Sequence, residues 1–515
     1  MRGAAIGVLA VFIGCSGGSS SSDAGPARDA GGGSDGADAT ASTPSDGGID
    51  GSNDAPIADA TGGDTGVDAT ADGPSGPLPD YASGSRLRAM VYRTADGTKL
   101  WHGWYDATLD TPCTFTEGAA EDGATRCLPV GVGAYYIDSA CTTPVTVVQS
   151  GCSVPTHVSE AVATTPCRSA AYTVGPAVDA GAGLFYAMGS TCAPTSVPGT
   201  VHSLTHLAAT ALVGATRVVD PRTTSLGAAY WKADDGALQS LGAVDLARSA
   251  ACAPLSGAYA SACAPSDLVY VAIPLFSDMA CTLRAARKFD LGCLGAGAQT
   301  VEVQTYDSCG NEAIALDSLG AALTASYTLP SGGSCTEAGA PVHFTDYALG
   351  AAIPASSLPV VKTVDLGTGR ITTRYVSAGT GEKISVSTWV DSQLGAACAV
   401  LNTSAGLRCL PGDYHQEAYS DMSCSLPVVW ANQPAGCSAP SPPAFAQWTS
   451  GTGTCADPEL LRLMQVGAPT SVMTGGVYAK SPTCGATGID PTHLAMFSAT
   501  EVDLTTLPAI TDVTE

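Results

Sequence analysis

The chain has 515 residues, of which 45% are hydrophobic and only 13% are charged. Its formal net charge of −25 repels phosphate backbones and anionic membrane surfaces, so nucleic acid is not an expected partner. The length exceeds one compact core, and 60 Gly and 33 Pro favour many short strands over long helices.

The first fifteen residues, MRGAAIGVLAVFIGC, place Arg2 before an apolar run that ends at Cys15. The run is too short to span a bilayer, and it resembles a bacterial lipoprotein signal. We expect residues 1–14 to be removed and Cys15 to carry the lipid. An ordinary secretory signal is the alternative, and both interpretations predict export.

Residues 16–80 contain twelve Asp, one Arg and otherwise mainly Gly, Ala, Ser and Thr. Such a composition cannot bury enough apolar surface to offset the entropy of ordering. Residues 15–80 are therefore predicted to be a lipidated cysteine followed by a disordered tether. A weak calcium-binding role is the less favoured interpretation, because the Asp units lack the ligand spacing of an EF-hand.

A hexapeptide, FSDMAC at 276–281, recurs as YSDMSC at 419–424 and as YIDSAC at 136–141. Flanking segments align as well: RCLP at 126–129 recurs at 408–411, for example. We therefore predict one β-repeat domain over residues 81–515, with three repeats at about 85–223, 224–368 and 369–515 and no linkers between them.

Cysteine positions support the same division, since each repeat contains six, and an even set in an exported protein predicts disulfides. The predicted disulfide cysteines are Cys113, Cys127, Cys141, Cys152, Cys167, Cys192, Cys252, Cys263, Cys281, Cys293, Cys309, Cys335, Cys398, Cys409, Cys424, Cys437, Cys455 and Cys484. Sequence alone leaves fifteen connectivities per repeat. We predict pairing of first with second, third with fourth and fifth with sixth, because short loops then clip local hairpins.

The repeats also decide between helix and strand. DPELLRLMQVG at 457–467 has helical character by itself, but its counterpart SAAYTVG at 169–175 alternates like a strand, so we predict strand throughout. About eight strands per repeat predict an all-β fold, a β-propeller of six four-stranded blades. The terminal AITDVTE would complete a blade with the strand near Arg86. Three tandem disulfide-stapled β modules are the alternative.

No segment meets the requirements of a catalytic motif. The G-x-S-x-G match at 32–36 lies in the tether, without the strand and helix that a nucleophile elbow needs. Asp138, Asp278 and Asp421 precede the third cysteine of each repeat by three residues, and we interpret them as turn residues rather than a carboxylate site. His202, His343 and His493 are placed at matching points and are the candidate metal ligands, although no metal or other cofactor is expected.

WHGWYDATLDTPC, RCLP and YYIDSAC, together with the lipidation signal and the tether, resemble cysteine-rich surface lipoproteins of unknown function that are abundant in myxobacteria. The resemblance implies an outer-membrane lipoprotein whose only membrane contact is its lipid. We expect a non-catalytic binding or adhesion module for a glycan or a surface protein. A hydrolase or lyase acting on glycans or peptides, and a purely structural envelope component, are the alternatives.

Overall fold

The computed structural model describes residues 78–515 except 132–134, 163–167, 182, 189–190, 267, 271–274, 290–298, 308, 310–311, 330–332, 339–343, 434, 439, 451–459, 472–475, 481–482, 488 and 490. Cys15, the predicted signal and almost all of the predicted tether lie outside these residues. The described part is built of strands and short 3-10 turns, which confirms the all-β prediction. It contains no helix that is long and apolar enough to cross a membrane.

Each repeat contributes a similar series of strands. The segment before repeat one and repeat one itself contain β1 (Tyr81–Ala82), β2 (Leu87–Thr94), β3 (Lys99–Asp106), β4 (Thr111–Thr116), β5 (Arg126–Pro129), β6 (Tyr135–Tyr136), β7 (Pro144–Val148), β8 (His157–Ala161), β9 (Ser169–Ala177), β10 (Leu184–Met188), β11 (Thr191–Thr195), β12 (Thr200–Leu207) and β13 (Ala215–Pro221). Repeat two contains β14 (Leu226–Ala233), β15 (Leu238–Asp245), β16 (Ala250–Ala253), β17 (Ala264–Pro265), β18 (Leu268–Tyr270), β19 (Leu275–Phe276), β20 (Arg284–Phe289), β21 (Thr300–Tyr306), β22 (Glu312–Ala322), β23 (Ser326–Thr328), β24 (Thr336–Ala338), β25 (Phe344–Ala352) and β26 (Val361–Leu366). Repeat three contains β27 (Ile371–Ala378), β28 (Lys383–Asp391), β29 (Ala396–Thr403), β30 (Gly406–Pro411), β31 (Asp413–Tyr414), β32 (Val428–Asn432), β33 (Phe445–Ser450), β34 (Leu460–Thr470), β35 (Tyr478–Lys480), β36 (Cys484–Ala486), β37 (Leu494–Glu501) and β38 (Ile510–Thr514). The 3-10 turns are Ala209–Ala211, Gly257–Tyr259, Ala355–Ser357, Pro491–His493 and Leu504–Thr506.

The first strands of each repeat form an antiparallel meander, which we call its inner sheet. The inner sheets run β38-β2-β3-β4-β5, β13-β14-β15-β16-β17 and β26-β27-β28-β29-β30. The last strand of every repeat thus pairs with the first strand of the next repeat, and β38 closes the ring by pairing with β2. The predicted pairing of AITDVTE is confirmed, and the repeats are not independent tandem modules.

Apolar side chains fill the seams between neighbouring inner sheets. Trp101 and Trp104 of repeat one share a core with Trp231 of repeat two. Leu226 of repeat two shares a core with Ile384 of repeat three. At the third seam, Tyr92 and Leu100 of repeat one pack against the core of repeat three that contains Ile510 of β38. Central strands such as β14 are buried along almost their whole length, because both faces are covered.

The remaining strands of each repeat form an outer sheet of a different kind. Its order is β11-β10-β6-β7-β12-β9-β8 in repeat one and β24-β23-β19-β20-β25-β22-β21-β18 in repeat two. Repeat three has β32-β37-β34-β33-β31 and a β35-β36 hairpin that Tyr478 links to Tyr419. Because inner and outer sheets differ, the regular propeller of six like, four-stranded blades is not confirmed.

The entry segment, residues 78–82, lies across the ring at the seam of repeats two and three. Tyr81 pairs with Gln239 on β15, and the Asp80 carbonyl oxygen accepts a 2.7 Å hydrogen bond from the Ser240 N–H. The Asp80 carboxylate is 3.0 Å from Lys383 Nζ of repeat three. Desolvation, partly opposed by Lys383, raises the pKa of Asp80 to about 6.

Seven disulfides lie within the described residues, and they correct the predicted pairing. First and second cysteines pair as predicted, in Cys113–Cys127, Cys252–Cys263 and Cys398–Cys409. The third cysteine pairs with the sixth, in Cys141–Cys192, Cys281–Cys335 and Cys424–Cys484. The prediction of third with fourth and fifth with sixth was wrong because β10 pairs with β6, which brings β11 and its cysteine beside the turn after β6.

One bridge crosses between repeats, which the predicted pairing did not allow. Cys309, the fifth cysteine of repeat two, pairs with Cys437, the fourth of repeat three, 128 residues away. Cys152, the fourth cysteine of repeat one, is also disulfide-bonded. Cys167, Cys293 and Cys455 lie outside the described residues.

In the Cys309–Cys437 bridge, the fifth cysteine of one repeat pairs with the fourth cysteine of the next repeat. If every repeat follows this rule, Cys455 pairs with Cys152 and Cys167 pairs with Cys293. Proteolysis of unreduced protein followed by mass spectrometry is expected to yield three cross-repeat peptide pairs. A Cys152–Cys167 peptide would contradict the rule.

Because β38 closes the ring, shortening its buried side chain, Ile510, is expected to destabilise the protein strongly. Ile510→Ala is expected to lower the free energy of unfolding by about 2–5 kcal/mol, because it empties the seam between repeats three and one. Thr514→Ala, exposed on the same strand, should change it by less than about 0.5 kcal/mol. Chemical denaturation of both variants checks this, and equal losses would show that burial at the seam does not stabilise the closure.

Candidate functional site

The Asp of each recurring hexapeptide builds a turn. The Asp278 carboxylate accepts hydrogen bonds from the N–H groups of Thr282 and Leu283 at 2.9 and 2.7 Å, and the Asp278 carbonyl accepts from the Cys281 N–H. Cys281 has a φ of 52°, as its equivalents Cys141 and Cys424 do within 2°. The Thr282 hydroxyl and these N–H groups lower the pKa of Asp278. Asp138 and Asp421 make the same contacts, so all three are turn residues that orient a disulfide cysteine.

The three candidate metal-ligating histidines do not occupy equivalent positions. Strand register places Tyr347 and Phe497 where repeat one has His202. His493 is exposed at the end of a 3-10 turn, and His343 lies outside the described residues. No cluster of three His, Cys, Asp or Glu suited to a metal ion occurs in the part of the chain that the structure describes.

The outer sheet of repeat one is curled. Strands β6 and β8 are separated in it by β7, β12 and β9. In a flat sheet they would be about 19 Å apart, well beyond the screening length of about 8 Å. Yet the chain that leads into β6 passes directly against β8, since a Cβ on Gly131 would lie 3.1 Å from the Ser159 carbonyl oxygen. The sheet therefore forms a half-barrel with a concave face.

Six polar or aromatic side chains share this concave face. Residues that pair across an antiparallel ladder, and residues two apart on a strand, lie on the same face. Pairs of Tyr136 with Pro144, Thr146 with His202, and Val158 with Tyr172 define it, with Glu160 two residues beyond Val158. The opposite face packs on the inner sheet, where the Ser159 hydroxyl donates to the Pro129 carbonyl at 2.7 Å. The concave face thus comprises Tyr136, Thr146, Glu160, Tyr172, His202 and His206, which pairs with Tyr172.

Repeats two and three place apolar side chains where repeat one has Glu160 and Thr146. The β12–β9, β25–β22 and β37–β34 ladders each contain a register shift. Placing these shifts at the same point aligns the three outer sheets residue by residue. Glu160 then corresponds to Val303 in repeat two and Trp448 in repeat three. Thr146 corresponds to Ala286 and Val429. In repeat three both positions belong to one apolar core, so repeat one alone has polar side chains at these two positions.

Polar groups on the concave face are buried without full internal partners. Glu160 is 6% exposed and makes no hydrogen bond or ion pair with any residue that the structure describes. The Thr146 hydroxyl, on a residue 1% exposed, likewise finds no partner there. Burial raises the pKa of Glu160 to about 9, so the carboxyl group is protonated at neutral pH.

His202 is held in one orientation on this face. Its Nδ1 lies 3.0 Å from the Gly175 carbonyl oxygen. A carbonyl oxygen only accepts, so Nδ1 carries the hydrogen, and Nε2 is left for another partner. The concave face therefore offers one acid, one hydroxyl, one ring nitrogen and two phenol rings to a ligand.

Repeat two contains a second cavity, of about 580 Å³, lined by residues 323–326, 337–338 and 344–346. Its Asp346 is paired with Arg287 at 2.7 Å and accepts a hydrogen bond from Ser326. Because the central carboxylate already has partners, this cavity is the weaker candidate.

Comparison with known proteins gives one match. Residues 57–312 match a family of unknown function, DUF7481. The match includes all of repeat one, and therefore the concave face. No curated protein and no solved structure matches the chain.

The environment of Glu160 predicts a pH-dependent stability effect. Its folded pKa of about 9 exceeds its ordinary 4.5, so the stabilising protonated form is complete below pH 4.5 and is lost as pH rises toward 9. Glu160→Gln should match the wild type at pH 4 and exceed it by on the order of 1 kcal/mol per pH unit above pH 5. Denaturant unfolding from pH 4 to 8 checks this, with exposed Glu117→Gln as control. A difference independent of pH would show that Glu160 ionises normally.

Proposed function

We propose that this protein is an exported, lipid-anchored surface module that binds a small ligand, or the terminal group of a larger one, on the concave face of repeat one. The observation that carries the proposal is the internal comparison: three equivalent sheets fold on one pattern, and repeat one alone replaces core side chains by Glu160 and Thr146. Unpartnered buried polar groups cost about 1–3 kcal/mol each. Their presence where Val303 and Ala286 suffice elsewhere supports a binding role.

The location in this proposal rests on different observations. Many disulfides indicate an exported protein, since they persist in oxidising compartments. Attachment through Cys15 to the outer membrane, with residues 16–80 as a tether, is proposed from the sequence and from the resemblance to myxobacterial surface lipoproteins.

Binding is favoured over glycoside hydrolysis by the charges on the concave face. Glycosidases commonly use two carboxyl groups placed about 5–10 Å apart. Glu160 is the single carboxyl group among the residues that define the face, and the neighbouring Glu121 is already paired with His206 at 2.8 Å. A raised pKa would suit a general acid, but the second group of the pair is not among them.

Converting the concave face to the composition of repeat two tests the proposal. The double variant Glu160→Val, Thr146→Ala carries the residues found at equivalent positions in Val303 and Ala286, so it is expected to fold with equal or greater stability. Ligand-observed NMR on the full chain, with a library of mono- and disaccharides and small polar molecules, should give hits that the double variant loses at least tenfold. Hits retained by the double variant, or no hit at millimolar concentration, would contradict the proposal.

A further inference from the structure

The side chains around Glu160 restrict the chemistry of a ligand. Glu160 and Tyr172 lie diagonally across the β8–β9 ladder on the concave face. After desolvation, the Glu160 charge raises the pKa of both Tyr136 and Tyr172, and Tyr136 and Glu121 also raise that of Tyr172. The two phenol groups and the carboxyl group therefore form one cluster. The Tyr172 ring also meets His206 edge-on, with centroids 5.7 Å apart.

An anionic ligand is disfavoured in this cluster, because the net charge of −25 repels it. An inorganic divalent cation lacks ligands, since Ca²⁺ takes six to eight oxygen donors and Mg²⁺ six. No three-residue metal cluster occurs among the described residues. An organic cation needs only one counter-charge and aromatic faces, and this cluster contains both.

Resting on the proposed binding function, we propose that the concave face of repeat one binds an alkylated ammonium group, with Glu160 as its counter-charge and the Tyr136 and Tyr172 rings around it. The free protein holds Glu160 neutral because it has no cation to pair with. A bound ammonium supplies that cation, so Glu160 ionises on binding and releases one proton. No covalent step is involved.

Other titrating groups around Glu160 set the pH window of the test. From β6 these are Tyr135 and Tyr136, with Asp138 in the following turn; from β9, Tyr172; and from β12, His202 and His206, the latter 2.8 Å from Glu121. Burial raises the pKa of the tyrosines, and hydrogen bonds from Thr142 and Thr143 outweigh desolvation to lower that of Asp138 to about 2. The pKa of Glu160, about 9, lies between those of Asp138 and the tyrosines, so the test is run between pH 7.5 and 9.

Tetramethylammonium is the probe, because its charge does not titrate, and tert-butanol is its neutral match in size. Calorimetry on the full chain at constant ionic strength should show tetramethylammonium binding that strengthens severalfold, up to tenfold, per pH unit below pH 9. Paired buffers of different ionisation enthalpy should show release of nearly one proton at pH 7.5. Tert-butanol should bind at least tenfold more weakly.

Two variants assign the contacts. Glu160→Gln should weaken tetramethylammonium binding at least tenfold and abolish both proton release and pH dependence. Tyr172→Met, which introduces the residue found at the equivalent Met464, should weaken binding about three- to tenfold with proton release retained. Binding without proton release, or binding unchanged in Glu160→Gln, would overturn the inference.

The outcomes also separate this inference from the proposed function. If tetramethylammonium fails to bind while a neutral library ligand binds and is lost in the Glu160→Val, Thr146→Ala variant, the cation inference is wrong and the binding function stands. If neither binds, both are wrong.

Discussion

The transfer of one strand from each repeat to the next is the interaction on which this architecture depends. β13, β26 and β38 leave their own repeats and hydrogen-bond to the first inner strand of the following one. A repeat without its neighbour would lack an edge strand and expose half of a seam core such as that around Trp104. The inner ring is therefore one cooperative unit, which explains why the sequence has no linkers between repeats.

The outer sheets do not contain the strands that are exchanged between repeats, and they differ more from one another than the inner sheets do. All three keep the order of their four central strands, a register shift and the bridge from third to sixth cysteine. Their interiors differ: repeat three buries Trp448 and Met464 where repeat one has Glu160 and Tyr172. Functional positions commonly break the local rule that the rest of a fold obeys. Here the rule is visible in the same chain, since two repeats follow it.

Features that depend on local patterns were predictable from the sequence. The hexapeptide gave the period and its turn geometry, and comparison of repeats correctly predicted strand at Leu460–Thr470. Features that depend on ladder register were not. The third and sixth cysteines meet only because β10 pairs with β6. The sequence motifs align His202 with His343 and His493, but strand pairing places Tyr347 and Phe497 at the His202 position. Glu160 belongs to no motif, so only residue-by-residue alignment across the register shift identifies it.

The placement of the entry segment has a mechanical consequence. Residues 78–82 are held by β15 of repeat two and by Lys383 of repeat three before the chain enters repeat one. Tension applied ahead of Leu78 would load these contacts along the strand direction, so that several hydrogen bonds must break together. The force would act on the seam between repeats two and three before it could break the hydrogen bonds between β2 and β38. When the protein is pulled from its N-terminal side, these contacts would therefore be loaded in shear, and the strands would not be peeled off one at a time.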